Sequence, residues 1–435
     1  MTRALFLAAF DSQLKWCSQI HDEFVRRGFE TRVIVPDVRS ALSPQQIIAA
    51  GIDHVERASW SDTVRHALDS DVVVCGLSGP LVKAFGFALA AQLDTYGGSP
   101  PIFVTGWVGV IIEKIVAGYL DRCGSDVVIV NSTADLELFR SAAKWLGLPA
   151  ENLLLAGLPF LSSAPQPARL GPIHRVLFTD QPTVPGNRIE RLYLYRRLLR
   201  YAARHPDREV VLKPRHRPEE DTFHRMRHHP EDLLAGEEKP ANFRIDYTPV
   251  SEMLPSVDLL ITMSSTACLE ALDAGCRVGL VLDLGVHERY GNHVFLDSGL
   301  LRTFADLAED DIGHPNPEWF HSYFFDRSGR AAEVVADRVN ELSASGLRPS
   351  GAVRQTAYYK SARQAHREIS ADDGAVSQPA RHKRAAALRK RKQRHGPVRG
   401  TLVHVTWALT PPILNESLRR AARRNRPLIR VDPAV

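Results

Sequence analysis

The sequence predicts two α/β domains, each with a parallel β-sheet between two layers of helices. Three observations support this fold class. The chain has 435 residues, whereas a single hydrophobic core stops growing at roughly 250–300 residues. Short β-branched runs alternate with helix-length segments in both halves of the chain. A segment rich in Pro, Ser and Ala, residues 162–172, separates the halves and predicts a linker.

The overall composition is that of a soluble globular protein. Hydrophobic residues make up 44% and charged residues 24% of the chain, which is a typical globular balance. No apolar run approaches the ~18 residues that a membrane-spanning helix needs. The five cysteines are scattered and lack the spacing of a metal site, and reduced cysteines are usual inside the cell. We therefore expect a cytoplasmic protein.

The first domain, residues 1–161, is predicted from six strand-like runs. They are residues 4–9, 31–35, 72–75, 102–105, 127–130 and 153–156. Helical patterns follow the runs, as in residues 13–27, where Leu14, Cys17 and Phe24 recur on one face and Gly28 follows as a C-terminal cap. Strands that are joined by helices run parallel. The pattern therefore predicts a parallel sheet covered on both faces.

The second domain, residues 173–345, repeats this architecture. Its strand-like runs are residues 175–179, 209–212, 243–245, 259–262 and 278–282. A tail of residues 351–435 follows, in which Lys and Arg exceed Asp and Glu by 14, whereas acidic residues exceed basic ones by 9 in residues 1–350. The run at 381–399 is too polar to form a core, so we expect the tail to be largely disordered when alone.

Two polar turns follow strands of the second domain. One turn carries cations and a histidine, and the other carries three hydroxyls. Their members are Lys213, Arg215, His216 and Arg217 in the first turn, and Ser264, Ser265 and Thr266 in the second. The carboxyl ends of parallel strands share one edge of the sheet, where helix N-termini present free N–H groups to anions. The turns therefore predict a nucleotide-phosphate site. An ordinary helix cap is the alternative for the hydroxyls, and a solvated basic loop for the cations.

The two turns also carry a resemblance to a known enzyme class. Residues 173–301 resemble the bacterial capsule and wall-polymer branch of the GT-B glycosyltransferases, which includes polysialyltransferases, Kdo-adding capsule enzymes and CDP-glycerol glycerophosphotransferases. Those families carry a Lys-Pro-His-Pro type element, which is Lys-Pro-Arg-His-Arg-Pro at 213–218 here, and a Ser-Ser element, which matches at 264–272 without a gap. The whole chain is most similar to an actinobacterial glycosyltransferase family of unknown substrate.

The resemblance implies two Rossmann-like domains that face each other across a cleft, with the donor on the second domain. It implies that His216 binds or protonates the leaving phosphate. Gln181 and Asn292 are implied as further donor contacts, for which turn chemistry is the alternative at Gln181. Glu270 can point back to the ribose, or be a solvated residue that the helix dipole stabilises. GT-B enzymes generally work without a metal, so we expect no metal and no other cofactor.

The catalytic base of such an enzyme usually comes from the first domain, after its first strand. Asp11 holds that position and could take a proton from an acceptor hydroxyl. The alternative is that Asp11 caps the following helix. The predicted activity is transfer of a sugar, or a related polyol phosphate, from a nucleotide-activated donor to a cell-envelope polysaccharide or a lipid-linked acceptor.

Two other functions stay open. The first is a nucleotide-sugar epimerase of the same architecture, and the second is a non-catalytic protein that binds phosphate groups or nucleic acid. Nucleic acid is disfavoured because no aromatic residue for base stacking interrupts residues 381–399. Residues 381–430 combine arginines with apolar residues, which favours an anionic membrane as partner. The protein is thus expected to bind peripherally to the inner face of the cell membrane.

Overall fold

The computed structural model describes residues 1–38, 42–52, 54–112, 115–220, 225–326 and 329–372. Within them, the first domain holds a fully parallel sheet in the order β3-β2-β1-β4-β5-β6-β7. Its strands are β1 (Arg3–Leu7), β2 (Glu30–Pro36), β3 (Glu56–Ala58), β4 (Val72–Cys75), β5 (Ile102–Gly106), β6 (Val127–Val130) and β7 (Leu153–Leu155). The helices between them are α1 (Asp11–Arg26), α2 (Pro44–Ala49), α3 (Trp60–Leu68), α4 (Gly79–Tyr96), α5 (Ile115–Arg122) and α6 (Thr133–Trp145).

The second domain holds another fully parallel sheet, in the order β10-β9-β8-β11-β12-β13. Its strands are β8 (Arg175–Thr179), β9 (Glu209–Lys213), β10 (Phe243–Ile245), β11 (Leu259–Thr262), β12 (Arg277–Val281) and β13 (Leu301–Arg302). Its helices are α7 (Arg188–Arg204), α8 (Pro230–Leu233), α9 (Val250–Met253), α10 (Ala267–Asp273), α11 (Phe304–Ala308) and α12 (Pro317–Tyr323), with 3-10 turns at Leu254–Ser256, Glu288–Tyr290 and Asn292–Ser298.

Each sheet separates two hydrophobic layers. In β1, Phe6 belongs to one core and its neighbours Leu5 and Leu7 belong to the other. In β8, Phe178 and Leu177 are divided in the same way. Successive strand residues point to opposite faces, and apolar runs buried on both sides are typical of parallel sheets. The predicted fold class is therefore confirmed for the described residues.

The end of the described chain returns to the first domain. Helix α13 (Ala331–Ser345) packs against α1, and its residues Val335, Val339 and Leu342 lie in the core that also holds Phe6. Helices α14 (Ser350–Gln355) and α15 (Ala357–Asp372) follow, within the segment predicted as tail. Residues Met1–Arg367 form one compact unit. Glu368–Val435 form a second unit, of which the described part is the end of α15.

The linker predicted at residues 162–172 runs along the second domain. The Ser162 N–H donates to the carboxylate of Asp273 at 2.9 Å, and the Arg169 N–H donates to the carbonyl of Gly275 at 2.8 Å. Among the described residues, no helix is both long and apolar enough to cross a membrane.

Candidate functional site

The site lies where three neighbouring strands of the second sheet end. Strands β9, β8 and β11 are adjacent in that order, so the turns that follow Lys213, Thr179 and Thr262 meet at one edge. The turn after β8 contacts the turn after β11, because the Ser264 N–H donates to Oε1 of Gln181 at 2.9 Å. The structure thus brings two of the predicted segments into direct contact.

The three hydroxyls of the second turn have different partners. The Ser264 hydroxyl is buried and donates to the carbonyl of Tyr290 at 2.5 Å. Oγ of Ser265 accepts the Ala267 N–H at 3.3 Å, and Oγ1 of Thr266 accepts the N–H of Val110, a residue of the first domain, at 3.2 Å. Thr266 is the N-cap residue of α10, but its side chain makes no cap hydrogen bond. The turn therefore does more than cap a helix.

Lys213 places a buried cation at the end of β9. Its side chain is buried, with the residue 9% exposed, and Nζ donates to the carbonyl of Pro214 at 3.1 Å. Burial, together with the charge of Arg215, lowers the pKa of Lys213 to about 8. Among the described residues, no carboxylate lies within 4.0 Å of Nζ. An ammonium with three donors and one carbonyl acceptor is suited to bind an added anion.

Charged side chains join the two domains across the cleft. Nε of Arg215 donates to Asp11 of α1 at 3.0 Å. One turn further along α1, Nζ of Lys15 lies 2.7 Å from Oε2 of Glu270. The predicted base and one predicted donor ligand are therefore neighbours, although they come from different domains. Phe10 is the N-cap residue of α1, and Asp11 lies in its first turn.

His216 and Asn292 are buried in the structure and hydrogen-bonded to backbone. Nε2 of His216 accepts the Met226 N–H at 2.9 Å, and Nδ1 lies 2.7 Å from the carbonyl of Arg217. The Asn292 amide accepts from the His287 N–H at 3.0 Å and donates to the Gly285 carbonyl at 2.9 Å. Both side chains hold loops in this conformation, because each polar atom already has a partner. Their predicted contacts with a donor require these loops to move, and stay predictions.

Arg217 is exposed and stacks on an aromatic ring. Its guanidinium carbon lies 4.4 Å from the centre of the Tyr247 ring. This geometry is a cation–π contact. It keeps the guanidinium at the surface of the loop that also carries Arg215.

A buried ion pair beneath the site was not predicted from the sequence. Arg191 of α7 donates to both carboxylate oxygens of Asp180 at 2.8 Å and to the carbonyls of Gln181 and Pro185 at 2.8 and 2.9 Å. The Tyr195 hydroxyl donates to the same carboxylate. Burial raises the pKa of Asp180, although these partners oppose the shift. The network fixes the turn that carries Gln181. In the sequence, the ion pair was indicated only by an arginine at a core-facing position of α7.

No group of three or more His, Cys, Asp or Glu side chains suited to a metal ion occurs among the described residues. The expectation of a metal-free reaction stays a prediction.

The chain is similar to several solved structures. The S. aureus MnaA-UDP co-structure has a TM-score of 0.52 and 12% identity, over 79% of this chain and 97% of that chain. MurG from Acinetobacter baumannii has a TM-score of 0.48 and 12% identity, over 78% and 100% of the two chains. Arabidopsis thaliana UGT89C1 complexed with UDP has a TM-score of 0.48 and 12% identity, over 79% and 99%. At 12% identity, the likeness to MnaA concerns the fold alone.

No curated protein matches the chain. A family model, by contrast, matches residues 4–342, which is most of the chain and spans both domains. The fold is GT-B, with two parallel-sheet domains and a polar edge of the second sheet joined by ion pairs to the first domain. The chain therefore belongs to the family described as "Putative glycosyltransferase (DUF6716)".

Proposed function

We propose that this protein transfers a sugar, or a related polyol phosphate, from a nucleotide-activated donor to a cell-envelope polysaccharide or a lipid-linked acceptor. The family supports glycosyl transfer as the reaction. The donor is assigned to the second domain and the acceptor to the first. We propose further that the enzyme works at the inner face of the cell membrane, where such acceptors are made.

One observation supports the donor site most directly, the buried Lys213 without a carboxylate partner among the described residues. Burying a charge is costly unless it is paired. The diphosphate of a nucleotide donor would supply that pair at the end of β9. Arg215, two residues further on, adds a guanidinium that can grip phosphate in a bidentate manner. Ser265 offers its hydroxyl proton from the neighbouring turn.

The same charges provide a chemical route for transfer. A donor phosphate that binds the guanidinium of Arg215 would break the ion pair between Arg215 and Asp11. The Asp11 carboxylate would then accept the proton of the acceptor hydroxyl as that oxygen bonds to the anomeric carbon. The bond from this carbon to the phosphate oxygen breaks, and Lys213 and Arg215 stabilise the charge on the departing nucleotide. Closure of the cleft about residues 162–172 would exclude water from the reaction.

A thermal-shift screen over CMP-, UDP-, GDP- and CDP-linked donors tests the proposal. A ligand that binds only the folded state raises its apparent stability by mass action. We expect one nucleotide class to stabilise the wild type. Lys213→Ala and Ser265→Ala are expected to lose about 1.5–3 kcal/mol of binding free energy, or roughly ten- to hundredfold in affinity. Unchanged affinity in both variants would remove these residues from the donor site.

A turnover assay with the donor that the screen identifies separates the alternatives. An epimerase would turn over its nucleotide sugar without any acceptor, whereas a transferase requires one. A non-catalytic protein would bind a phosphate group and release the donor unchanged under both conditions. Product analysis with and without a lipid-linked acceptor therefore decides between the three functions.

A further inference from the structure

Helix α1 presents two opposite charges to the second domain, one helical turn apart. Asp11 pairs with Arg215 and Lys15 pairs with Glu270. Each domain thus supplies one anion and one cation to the contact. We infer that Lys15 is a positioning residue, which holds Glu270 for the ribose of the donor and so couples donor binding to domain closure. This inference rests on the proposed function.

Two contacts fix the position of the Lys15 ammonium. Its Nζ lies 2.7 Å from Oε2 of Glu270 and 5.0 Å above the ring of Phe160. Phe160 precedes the linker, and Glu270 is on α10, directly after the Ser264–Thr266 turn. The side chain of Glu270 is 16% exposed, against 41% for Lys15. The contact therefore lies between the linker and the predicted donor site.

The carboxylate of Glu270 retains capacity for a second partner. The lysine contact uses Oε2, and no described residue donates a hydrogen bond to Oε1. A carboxylate accepts about four hydrogen bonds. Oε1 could therefore accept a ribose hydroxyl while Oε2 stays with Lys15. A donor bound in this way is linked through one carboxylate to the first domain, which gives donor binding a physical connection to closure.

A plain surface ion pair is the competing explanation, since such pairs contribute little to stability. The chain offers a matched control in the pair of Lys83 and Asp121, which lies within the first domain. Its side chains are 39% and 13% exposed, close to the values for Lys15 and Glu270. The two lysines differ in that only Lys15 reaches a residue of the second domain. If the loss of a surface charge alone affected nucleotide binding, replacing either lysine should have the same effect.

The test is calorimetry on full-length wild type, Lys15→Met, Lys15→Arg and Lys83→Met, after their melting temperatures confirm folding. The ligands are inorganic pyrophosphate and whichever of UDP, CDP, GDP and CMP stabilises the wild type most. Lys15→Met should weaken nucleotide binding by about fivefold or more and leave pyrophosphate binding unchanged, because only the nucleotide has a ribose. Lys15→Arg should restore binding, and Lys83→Met should match the wild type.

Three outcomes would overturn the inference alone. They are equal nucleotide affinity in Lys15→Met and wild type, an equal loss for pyrophosphate, which would mean direct phosphate contact, and a folded Lys15→Arg that does not restore binding. A wild type that binds pyrophosphate but none of the four nucleotides overturns the proposed function, and this inference with it.

Discussion

Lys213 gives the protein a titratable cation within the range of ordinary buffers. Its pKa is lowered to about 8, whereas a lysine in the unfolded chain titrates near 10.4. The free protein therefore loses this charge as the pH rises through about 8. An anion that binds only the protonated form loses affinity above that pH and keeps it below.

We predict that nucleotide affinity is constant below pH 7 and falls by about tenfold per pH unit well above the pKa of Lys213. The measurement is calorimetric titration between pH 6 and pH 10 with the nucleotide that the screen identifies. Lys213→Met should bind weakly across the whole range, without this dependence. A wild-type profile that is flat to pH 10 would contradict an ammonium contact with the phosphate.

The buried pair of Asp180 and Arg191 should contribute to the free energy of unfolding. Arg191→Met leaves a carboxylate in the core without its cation, which should lower the free energy of unfolding by about 3–5 kcal/mol. Urea unfolding measures the change. Arg196→Met is the control on the same helix, because its partner Glu237 is at the surface. The control is expected to leave stability nearly unchanged, and an equal loss in both variants would contradict the role given to the buried pair.

At the scale of elements, the strands with continuous apolar runs were predictable from the sequence. Eleven runs were predicted, and each corresponds to a strand in the structure. The strands β3 (Glu56–Ala58) and β13 (Leu301–Arg302) were missed. Both lie at sheet edges and are three and two residues long. Such segments carry no period-two pattern and are defined by their pairing with a neighbour, which local sequence does not encode.

The turns between elements were only partly predictable. A Ser-Ser-Thr turn after a buried strand indicated a polar site, but not which hydroxyl would serve which partner. Thr266 bonds Val110 of the first domain, and Asp11 bonds Arg215 over a separation of 204 residues. Contacts of this kind depend on how the domains dock. Likewise, the sequence did not show that both ring nitrogens of His216 would lie within hydrogen-bond distance of the loop backbone.

The loop after β5 packs closely against the turn before α10, where Gly109 lies beside Thr266. A Cβ atom at Gly109 would lie 2.7 Å from Oγ1 of Thr266. We predict that Gly109→Ala lowers the free energy of unfolding by about 1–3 kcal/mol through overpacking. Adding Thr266→Ala should recover part of the loss by making room. Gly236→Ala, where a Cβ atom meets no neighbour, should be neutral, and thermal unfolding compares the three.

At the scale of the whole molecule, charge is distributed unevenly along the chain. Residues 351–435 carry an excess of 14 basic residues. The predicted membrane-binding segment, residues 381–430, lies outside the described residues, so membrane attachment remains a proposal. Each Lys or Arg near an anionic leaflet contributes roughly 1 kcal/mol to the free energy of membrane binding. Screening by salt weakens such attraction.

We predict that the full-length protein sediments with anionic vesicles and not with neutral ones, and that added salt releases it. A chain truncated after residue 372 keeps all described helices and should not sediment. Sedimentation of the truncated chain to the same extent would show that the body of the protein carries the membrane contact.

The return of α13 to the first domain has a consequence for how the chain is made. The core around Phe6 and Phe24 includes Val335 and Leu342, so the first domain is interrupted by the second in sequence. A ribosome must therefore synthesise the whole second domain before the first can close its core. The second domain is continuous and can fold while synthesis proceeds. The half of the protein that leaves the ribosome first is therefore the one that finishes folding last, and until then part of its apolar core stays exposed.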